Sequence, residues 1–317
     1  MRSILSYLVW VAAILIPAFH AAGGAEFHVY PGGSIQAAIN SAVDGDVITV
    51  HAGTYNEILA VNHTLTLRGA PGEPMPLVTA DVGLHDPVVQ VAADNVRLVG
   101  LEIAGSEDFE GFLVTDSGGT YAGWSVENCV VHHGRYGIRA FGPDVSVIDS
   151  EVYRVLRDSI GMFGHGACTV RGNWVHNASW VDHPTDNGAE THGIAVVNGR
   201  ADSGSSEISY NYLYGVRSGI ALLASDTEMT QGDLVISHNT IDGRIGMHKT
   251  HADDTVYINS GIDFWSSNGL PFITENISVL DNIVYGCQWY GMYNGESQTG
   301  GFDGELRKMY HHDTWHW

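Results

Sequence analysis

Two stretches of this chain are dense in side chains that could carry acid–base chemistry. The first contains Asp182, His183, Asp186, Glu190 and His192, and the second contains His248, Lys249, His251, Asp253 and Asp254. Carboxylates, imidazoles and lysine amines can each take up or release a proton during a reaction. We therefore treat both stretches as candidate catalytic segments, and Asp158 supplies a further carboxylate upstream of them.

Two kinds of sugar chemistry fit these residue types. In hydrolysis of a glycosidic bond, two carboxylates act as acid and base, and their separation decides the stereochemical course. In proton abstraction, His192 or Lys249 removes a proton from a sugar ring while an arginine or Ca²⁺ neutralises the uronate. The predicted catalytic residues are Asp158, Glu190, His192 and Lys249. The predicted Ca²⁺ ligands are Asp182, Asp186, Asp253 and Asp254.

A repeat along the second half of the chain must position these residues. Each copy has an Asn-type residue, an aliphatic residue two positions later, and then a Gly-Ile pair or its equivalent. The Asn-type positions are Asn128, Ser150, Asn173, Asn211, Asn239 and Asn282. The first two intervals are 22 and 23 residues, the length of one coil of a parallel β-solenoid. Since aliphatic and polar residues alternate in each copy, we predict short strands with one face inward.

Loop lengths within the repeat predict a groove. From the Asn-type residue to the following Ile or Met the chain runs 10, 10, 21, 9, 23 and 10 residues. The third and fifth copies therefore carry about a dozen extra residues in the same loop, and these are the two candidate catalytic segments. Equivalent positions in neighbouring coils stack about 4.8 Å apart. We predict that the two loops rise from one edge as walls, with a gap over the fourth coil.

Three columns of side chains form the predicted floor of this groove. The outward column is Arg139, Gly161, Ala195, Ala221, Asp263 and Tyr293, in which small residues occupy the middle. Just before it lie Tyr136, Asp158, His192, Ser218, Ser260 and Tyr290, beside Arg135, Arg157, Thr191, Arg217, Asn259 and Trp289. The predicted substrate-binding residues are Arg135, Tyr136, Arg139, Arg157, Arg217, Asp263 and Tyr293. The alternative is that these columns are ordinary polar ladders of a solenoid surface.

The ends of the chain predict three parts. Residues 1–25 combine Arg2, an apolar run of about 16 residues and a small-residue stretch, which is typical of a secretory signal peptide and too short for a membrane span. Residues 26–296 are the predicted β-helix domain, and residues 297–317 are a C-terminal tail. We expect a secreted or cell-surface protein that is not an integral membrane protein.

A short helix is predicted to cover the first coil. The segment Ser34 to Val43 places Ile35, Ala38, Ile39, Ala42 and Val43 on one helical stripe. Ser34 is positioned as the N-cap, because its hydroxyl can accept a hydrogen bond from the first turn.

Charge and cysteine usage limit the partners. The formal net charge is -22, with only two lysines, so nucleic acid is not an expected partner. A strongly acidic polysaccharide would need a bound cation or a local arginine patch. Three cysteines are too few and too scattered for disulfides to hold the fold. Clustered histidines such as His132-His133 would suit copper or zinc, but none has the spacing of a closed zinc site.

The opening of the predicted domain resembles a known fold family. The matching passages are residues 29–50, 52–57 and 65–69, which read VYPGGSIQAAINSAVDGDVITV, AGTYNE and LTLRG. They resemble the start of right-handed parallel β-helix proteins of the pectate-lyase-like fold, including NosD-like periplasmic proteins and carbohydrate-binding and sugar-hydrolysis modules. The resemblance implies an all-β, right-handed single-stranded parallel β-helix with a capping helix. It also implies a polysaccharide or cell-surface glycan as the partner.

The resemblance leaves the activity open, because this fold carries lyases, hydrolases, epimerases and non-catalytic surface proteins. The Asp-Pro-His-Asp string of alginate epimerases is absent, and Asp182 to Asp186 has similar residues in another order. One hypothesis is an enzyme acting on an extracellular polysaccharide in the groove. The other is a non-catalytic adhesion or envelope protein, and a NosD-like metal-linked role is a third alternative.

Overall fold

The computed structural model of the chain describes most of its residues. These are 24–83, 86–106, 111–116, 118, 121–163, 166–178, 191–197, 205–224, 229–231, 233–244, 247–248, 255–256, 260–266, 272–287, 290–294, 302–307 and 310–312. Within them the backbone forms one helix, Ile35–Ser41, and three all-parallel sheets of 12, 10 and 9 strands. A two-stranded antiparallel pair, Met247–His248 with Thr255–Val256, lies outside these sheets.

The three sheets are named in the order in which each coil visits them. Sheet 1 contains Glu26–Val29, Val47–Val50, Thr66–Gly69, Arg97–Val99, Ser125–Glu127, Val145–Ile148, Cys168–Arg171, Ser206–Ser209, Met229–Gln231, Leu234–Ser237, Phe272–Leu280 and Phe302–Arg307. Sheet 2 contains Thr54–Asn56, Leu77–Thr79, Glu102–Ala104, Val130–Gly134, Glu151–Val155, Trp174–His176, Tyr212–Tyr214, Thr240–Asp242, Ile283–Tyr285 and Tyr310–His312. Sheet 3 contains Leu59–Val61, Pro87–Val91, Phe112–Thr115, Tyr136–Ala140, Ile160–Met162, His192–Val197, Ser218–Ala224, Ser260–Ser266 and Tyr290–Asn294.

This topology is a parallel β-helix, because the chain passes through sheets 1, 2 and 3 in turn and each strand pairs with its equivalent in the next coil. The isoleucines of the repeated Gly-Ile pairs stack inward in register and are fully buried. They are Ile138, Ile160, Ile194, Ile220 and Ile262. No coil can bury this face alone, so the hydrophobic stabilisation comes from neighbouring coils.

Buried asparagines connect the coils at the turn from sheet 1 to sheet 2. The side-chain amide of Asn173 donates to Asn211 Oδ1 at 2.9 Å, and the backbone N–H of Asn173 donates to the same oxygen at 2.9 Å. The same paired bonds link Asn211 to Asn239 and Asn239 to Asn282. The residue before each position has a positive φ, for example 57° at Tyr210 and 56° at His238. This left-handed residue turns the chain sharply and directs each asparagine inward.

The first copy of the repeat is shifted by one residue from the predicted alignment. Asn128 is not part of the ladder: it is the left-handed residue of its turn, with φ 50°. Cys129 occupies the ladder position, and its backbone N–H donates to Ser150 Oγ at 3.1 Å. Asparagine is favoured both in left-handed turns and in amide ladders, so its type alone could not decide between the two positions.

Replacing one ladder asparagine should therefore destabilise the fold strongly. In Asn211→Ala, two buried donors of Asn173 lose their acceptor, and each such loss costs about 1–3 kcal/mol. We expect the free energy of unfolding in urea, followed by circular dichroism, to fall by about 2–4 kcal/mol. Asn128→Gly is the matched control and should change it by less than about 0.5 kcal/mol. Equal effects of the two substitutions would contradict the ladder's role.

The predicted capping helix is confirmed. Ser34 is the N-cap, and its hydroxyl accepts the backbone N–H of Ala37 at 3.0 Å. Ile35 and Ile39 are fully buried over the first coil. Val43 was wrongly placed on the buried stripe: the helix ends at Ser41, the chain is extended at Ala42, and Val43 is 64% exposed.

Two side chains that sequence reasoning did not assign attach this helix to the first coil. The Glu57 carboxylate accepts the backbone N–H groups of Ile35 at 2.9 Å and Gln36 at 3.2 Å, which the helix cannot satisfy itself. The Gln36 amide exchanges two hydrogen bonds with the backbone of Ala60, in the first strand of sheet 3. The edge of that sheet is thus partly closed by a side chain.

A stack of alternating histidine and tyrosine rings follows the outer face of sheet 2. His132, Tyr153, His176 and Tyr214 are successive members, with centroids 4.8, 5.1 and 5.0 Å apart. His176 is buried in this stack, and its Nε2 hydrogen bonds to the Glu151 carboxylate at 2.9 Å. Its Nδ1 is buried and has no hydrogen-bond partner in the part of the chain that the structure describes.

The pKa of His176 makes the fold sensitive to acid. Burial lowers this pKa, and the bond to Glu151 opposes the effect only in part. Because the folded pKa lies below the unfolded value of about 6.5, the unfolded chain binds more protons as the pH falls through this window. We expect this contribution to stability to be complete above about pH 6.5 and to be lost as the pH falls toward the folded pKa.

Urea unfolding at several pH values tests this expectation. His176→Gln keeps a donor for Glu151 but cannot titrate, so it should lose less stability than the wild type on acidification. His63→Gln replaces a histidine outside the stack and should leave the wild-type pH dependence in place. A His176→Gln variant with an unchanged pH dependence would show that another group is responsible.

Candidate functional site

The two long loops leave from the same edge of the β-helix, as predicted. One connects Trp174–His176 of sheet 2 to His192–Val197 of sheet 3, and the other connects Thr240–Asp242 to Ser260–Ser266. One coil, with the sheet 3 strand Ser218–Ala224, lies between them. The candidate site is the part of sheet 3 and its preceding turn that lies along this edge.

An aspartate–histidine pair lies at the centre of the edge. Asp158 Oδ1 and His192 Nδ1 are 2.7 Å apart, and the two side chains are only 10% and 13% exposed. Parallel stacking brings them together, because the coil of Asp158 directly precedes that of His192 and Ser159 N–H donates to His192 O at 3.0 Å. The predicted neighbour relation is therefore confirmed.

This pair is suited to general base catalysis. A carboxylate at Nδ1 fixes the imidazole tautomer, so that the lone pair is on Nε2. Among the described residues, Nε2 of His192 has no hydrogen-bond partner. His192 can thus accept a proton at Nε2.

Asp263 is a second titratable group of the site. Burial raises its pKa, while the Ser218 hydroxyl, His192, Ser260 and Arg217 oppose the rise. Ser218 Oγ donates to Asp263 Oδ2 at 3.0 Å, and Asp263 Oδ1 is buried without a partner in the described part of the chain. A carboxyl group of this kind can retain its proton and act as an acid. The sequence placed Ser218 in a predicted column, but only the structure shows that it donates a hydrogen bond to Asp263.

The spacing of the two carboxylates does not match glycoside hydrolysis. Asp158 and Asp263 belong to coils that are three steps apart, as the pairing of Ile160, Ile194, Ile220 and Ile262 shows. Three steps of strand spacing correspond to about 14 Å along the axis. Retaining and inverting enzymes hold their carboxyl groups about 5–9.5 Å apart. Asp158 and Asp263 are therefore too far apart to act together as the two carboxyl groups of a glycoside hydrolase.

Arg139 lies among aromatic rings at one end of the edge. Its guanidinium carbon is 4.2 Å from the centroid of Phe163, 4.8 Å from Tyr136, 5.0 Å from Phe141 and 5.3 Å from Phe112. Burial lowers the pKa of Arg139, and Asp158 is one of the groups that oppose this. Its Nε is buried and has no hydrogen-bond partner among the described residues. The rings hold the guanidinium in place without neutralising its charge.

The other predicted arginines follow the same edge. Arg157 N–H donates to Arg135 O at 2.8 Å, so these residues occupy equivalent positions in neighbouring coils. Arg217 lies one residue before Ser218, and its charge stabilises ionised Asp263. All three arginines are partly buried. Arg157 directly precedes Asp158, and Arg217 directly precedes Ser218, which pairs with His192.

The middle of the predicted groove floor is closed. Ala195 and Ala221 pair in register on the outer face, as expected, but both are fully buried. Together with Val197, Leu223 and the partly buried Phe163, they form a separate apolar cluster outside the main core. The period of two in the sequence identifies the outer face correctly, but it does not show whether that face is covered.

Several predicted site residues lie outside the described residues. They are Glu190 and Lys249, and the four aspartates proposed for Ca²⁺, Asp182, Asp186, Asp253 and Asp254. Tyr293 pairs in register with Asp263, as predicted, but its side chain is not described. Within the described part of the chain, no group of three or more His, Cys, Asp or Glu side chains is arranged to hold a metal ion. Ca²⁺ binding remains a prediction.

Comparison with known proteins supports the fold. No family model matches the sequence. The Dettilon tailspike protein is 17% identical with a TM-score of 0.53, and the match covers 81% of this chain and 50% of that chain. This chain therefore spans about half the length of the tailspike protein. The fold of this chain is a right-handed parallel β-helix. The prediction from the opening passages is thus confirmed.

Two further solved structures are similar at lower scores. An alginate lyase from Paenibacillus is 13% identical with a TM-score of 0.46, covering 91% of this chain and 99% of that chain. A pectin methylesterase from Aspergillus niger is 12% identical with a TM-score of 0.47, covering 82% of this chain and 86% of that chain. Likeness at this level concerns the fold and assigns no activity to the site.

The raised pKa of Asp263 can be tested directly. The Ser218 hydroxyl favours the charged carboxylate, so Ser218→Ala should raise the pKa of Asp263 further. Ser260 has a smaller effect of the same sign, so Ser260→Ala should raise it less. Carbon-13 NMR of the Asp263 carboxyl carbon as a function of pH would measure this pKa in the wild type and in both variants. A lower pKa in Ser218→Ala would contradict this arrangement of the site.

Proposed function

We propose that this protein binds an acidic polysaccharide along the outer face of sheet 3 and acts on it by proton abstraction, with His192 as the base. The observation that carries the proposal is the 2.7 Å contact of Asp158 with His192 Nδ1, which leaves the lone pair of the imidazole on Nε2. His192 would remove the proton from the ring carbon that bears the carboxylate. β-Elimination then breaks the glycosidic bond, whereas epimerisation returns a proton to the other face.

Asp263 completes this reaction as the proton donor. Its coil is two steps from that of His192, or about 10 Å along the axis, so base and acid would contact the substrate at different points. Its raised pKa keeps it protonated at a higher pH than an ordinary aspartate. His192 would thus act as the base, and Asp263, whose pKa burial raises, as the acid.

The charge distribution supports an acidic substrate at this edge. The whole chain carries a formal charge of -22, so a polyanion needs a local positive region in order to bind. Arg135, Arg139, Arg157 and Arg217 supply such a region next to the base. The signal-like residues 1–25 support a substrate outside the cell. No helix in the described residues is long and apolar enough to cross a bilayer.

A non-catalytic glycan-binding or adhesion module is the second candidate. The closed, apolar middle of the floor favours it, because Ala195 and Ala221 offer no open surface beside the base. In that case the arginines and Asp263 would bind the sugar chain without turnover.

Incubation with a panel of uronate-containing and neutral polysaccharides separates these two candidates. Absorbance of unsaturated uronates reports elimination, and exchange of ring hydrogen for solvent deuterium reports epimerisation. His192→Gln should lower the rate at least about 100-fold, since it removes the base. His28→Gln changes a histidine at the far end of the chain and should keep full activity.

Two results would contradict the catalytic proposal. Full activity of His192→Gln would show that the base is elsewhere. Retention of an acidic polymer on an affinity gel, with no change in any polymer of the panel, would establish the non-catalytic candidate instead.

A further inference from the structure

Trp174 is an exposed tryptophan on a different face of the molecule, the outer face of sheet 2. The structure describes the side chains of two tryptophans. Trp124 is fully buried, with its Nε1 donating to Asp116, whereas Trp174 is 43% exposed. In register, Trp174 lies between Glu151 of the preceding coil and Tyr212 of the next. Trp174 therefore presents part of its indole to solvent on this face.

The indole of Trp174 is held rigidly by the histidine–tyrosine stack. Its centroid is 4.5 Å from that of His176 and 6.3 Å from that of Tyr214. His176 is itself clamped between Tyr153 and Tyr214, whose rings are nearly parallel to it. A ring that is already fixed loses little conformational entropy when a ligand stacks on it.

Polar groups surround the exposed ring in the way that a sugar requires. On the same face, Glu151 in the preceding coil, Tyr212 in the next coil and Thr240 two coils beyond Trp174 are partly exposed. Tyr210, 53% exposed and stacked on His238, continues the aromatic surface onto the adjoining turn. A sugar ring has an apolar C–H face that can pack on an indole and hydroxyls that bond to such groups.

The charges of this face select an uncharged ligand. Glu102 and Glu151 are its carboxylates, hydrogen-bonded to His132 and His176. Arg244 is engaged by Asp242 through two hydrogen bonds, and Arg154 bonds to His133. An acidic chain would meet these carboxylates and the net charge of -22 without an arginine patch like that of sheet 3. A second copy of the face would bring like charges together.

We infer that Trp174, with Tyr212 and Glu151, forms a second carbohydrate-binding surface, on sheet 2, for a neutral polysaccharide. It is separate from the Asp158–His192 edge and does not depend on the activity proposed for that edge. The protein would thereby be held to one polymer through sheet 2 while sheet 3 contacts another.

Affinity electrophoresis in gels containing β-glucan, xylan, galactomannan or dextran tests this inference. The wild type should be retarded by at least one of these neutral polymers, and Trp174→Ala should bind it at least about 10-fold more weakly. Trp174→Tyr keeps an aromatic ring and should retain part of the affinity. Ile283→Ala is the matched control, since Ile283 lies in the same column of sheet 2 and is 45% exposed.

Each other outcome would overturn the inference. These are no retardation of the wild type by any neutral polymer, unchanged binding of Trp174→Ala, or an equal loss in Ile283→Ala. Circular dichroism checks that the variants are folded, and Trp174→Tyr preserves the test if the alanine variant is not. His192→Gln should be retarded like the wild type, so loss of the sheet 3 activity and loss of this surface are measured separately.

Discussion

The structure depends on the in-register stacking of like residues from one coil to the next. Inward isoleucines from neighbouring coils bury one another, and the buried asparagines satisfy each other's amides at the tightest turn. A shift of one residue between two coils would turn the aliphatic side chains outward and leave these buried amides unpaired. Packing and hydrogen bonding thus impose the same register, and this register places every functional side chain.

Both proposed surfaces follow from this register. Asp158 and His192 are 34 residues apart in sequence, but they are in contact because they occupy equivalent positions in adjacent coils. The histidine–tyrosine stack that supports Trp174 arises in the same way on sheet 2. The two surfaces differ in charge: arginines accompany the first, and hydrogen-bonded carboxylates accompany the second. A single rod can therefore present different chemistry on different faces.

The sequence was most informative where a pattern repeats. The alternation after each Gly-Ile pair predicted the inward and outward columns, and the register of Arg139, Gly161, Ala195, Ala221 and Asp263 follows it. Features that depend on contact between columns could not be read in this way. The aromatic surroundings of Arg139 draw on four residues from three coils, and the burial of Ala195 depends on what lies over it. The capping role of Glu57 likewise joins two segments that share no periodicity.

The two ends of the β-helix differ in the ladder column, where Cys129 stands in place of an asparagine. Burial raises the pKa of its thiol to about 11, so the sulfur stays protonated and contacts only nearby backbone atoms. The chain of side-chain amides runs only from Asn282 to Asn173, and the coils before Ser150 are joined by other side chains, such as Arg68 with Glu26 and Arg97 with Glu127. Since each coil touches only its neighbours, cohesion can differ along the axis. The coils beyond Ser150 are held by buried amides, whereas the coils near the capping helix carry partly exposed ion pairs that salt weakens.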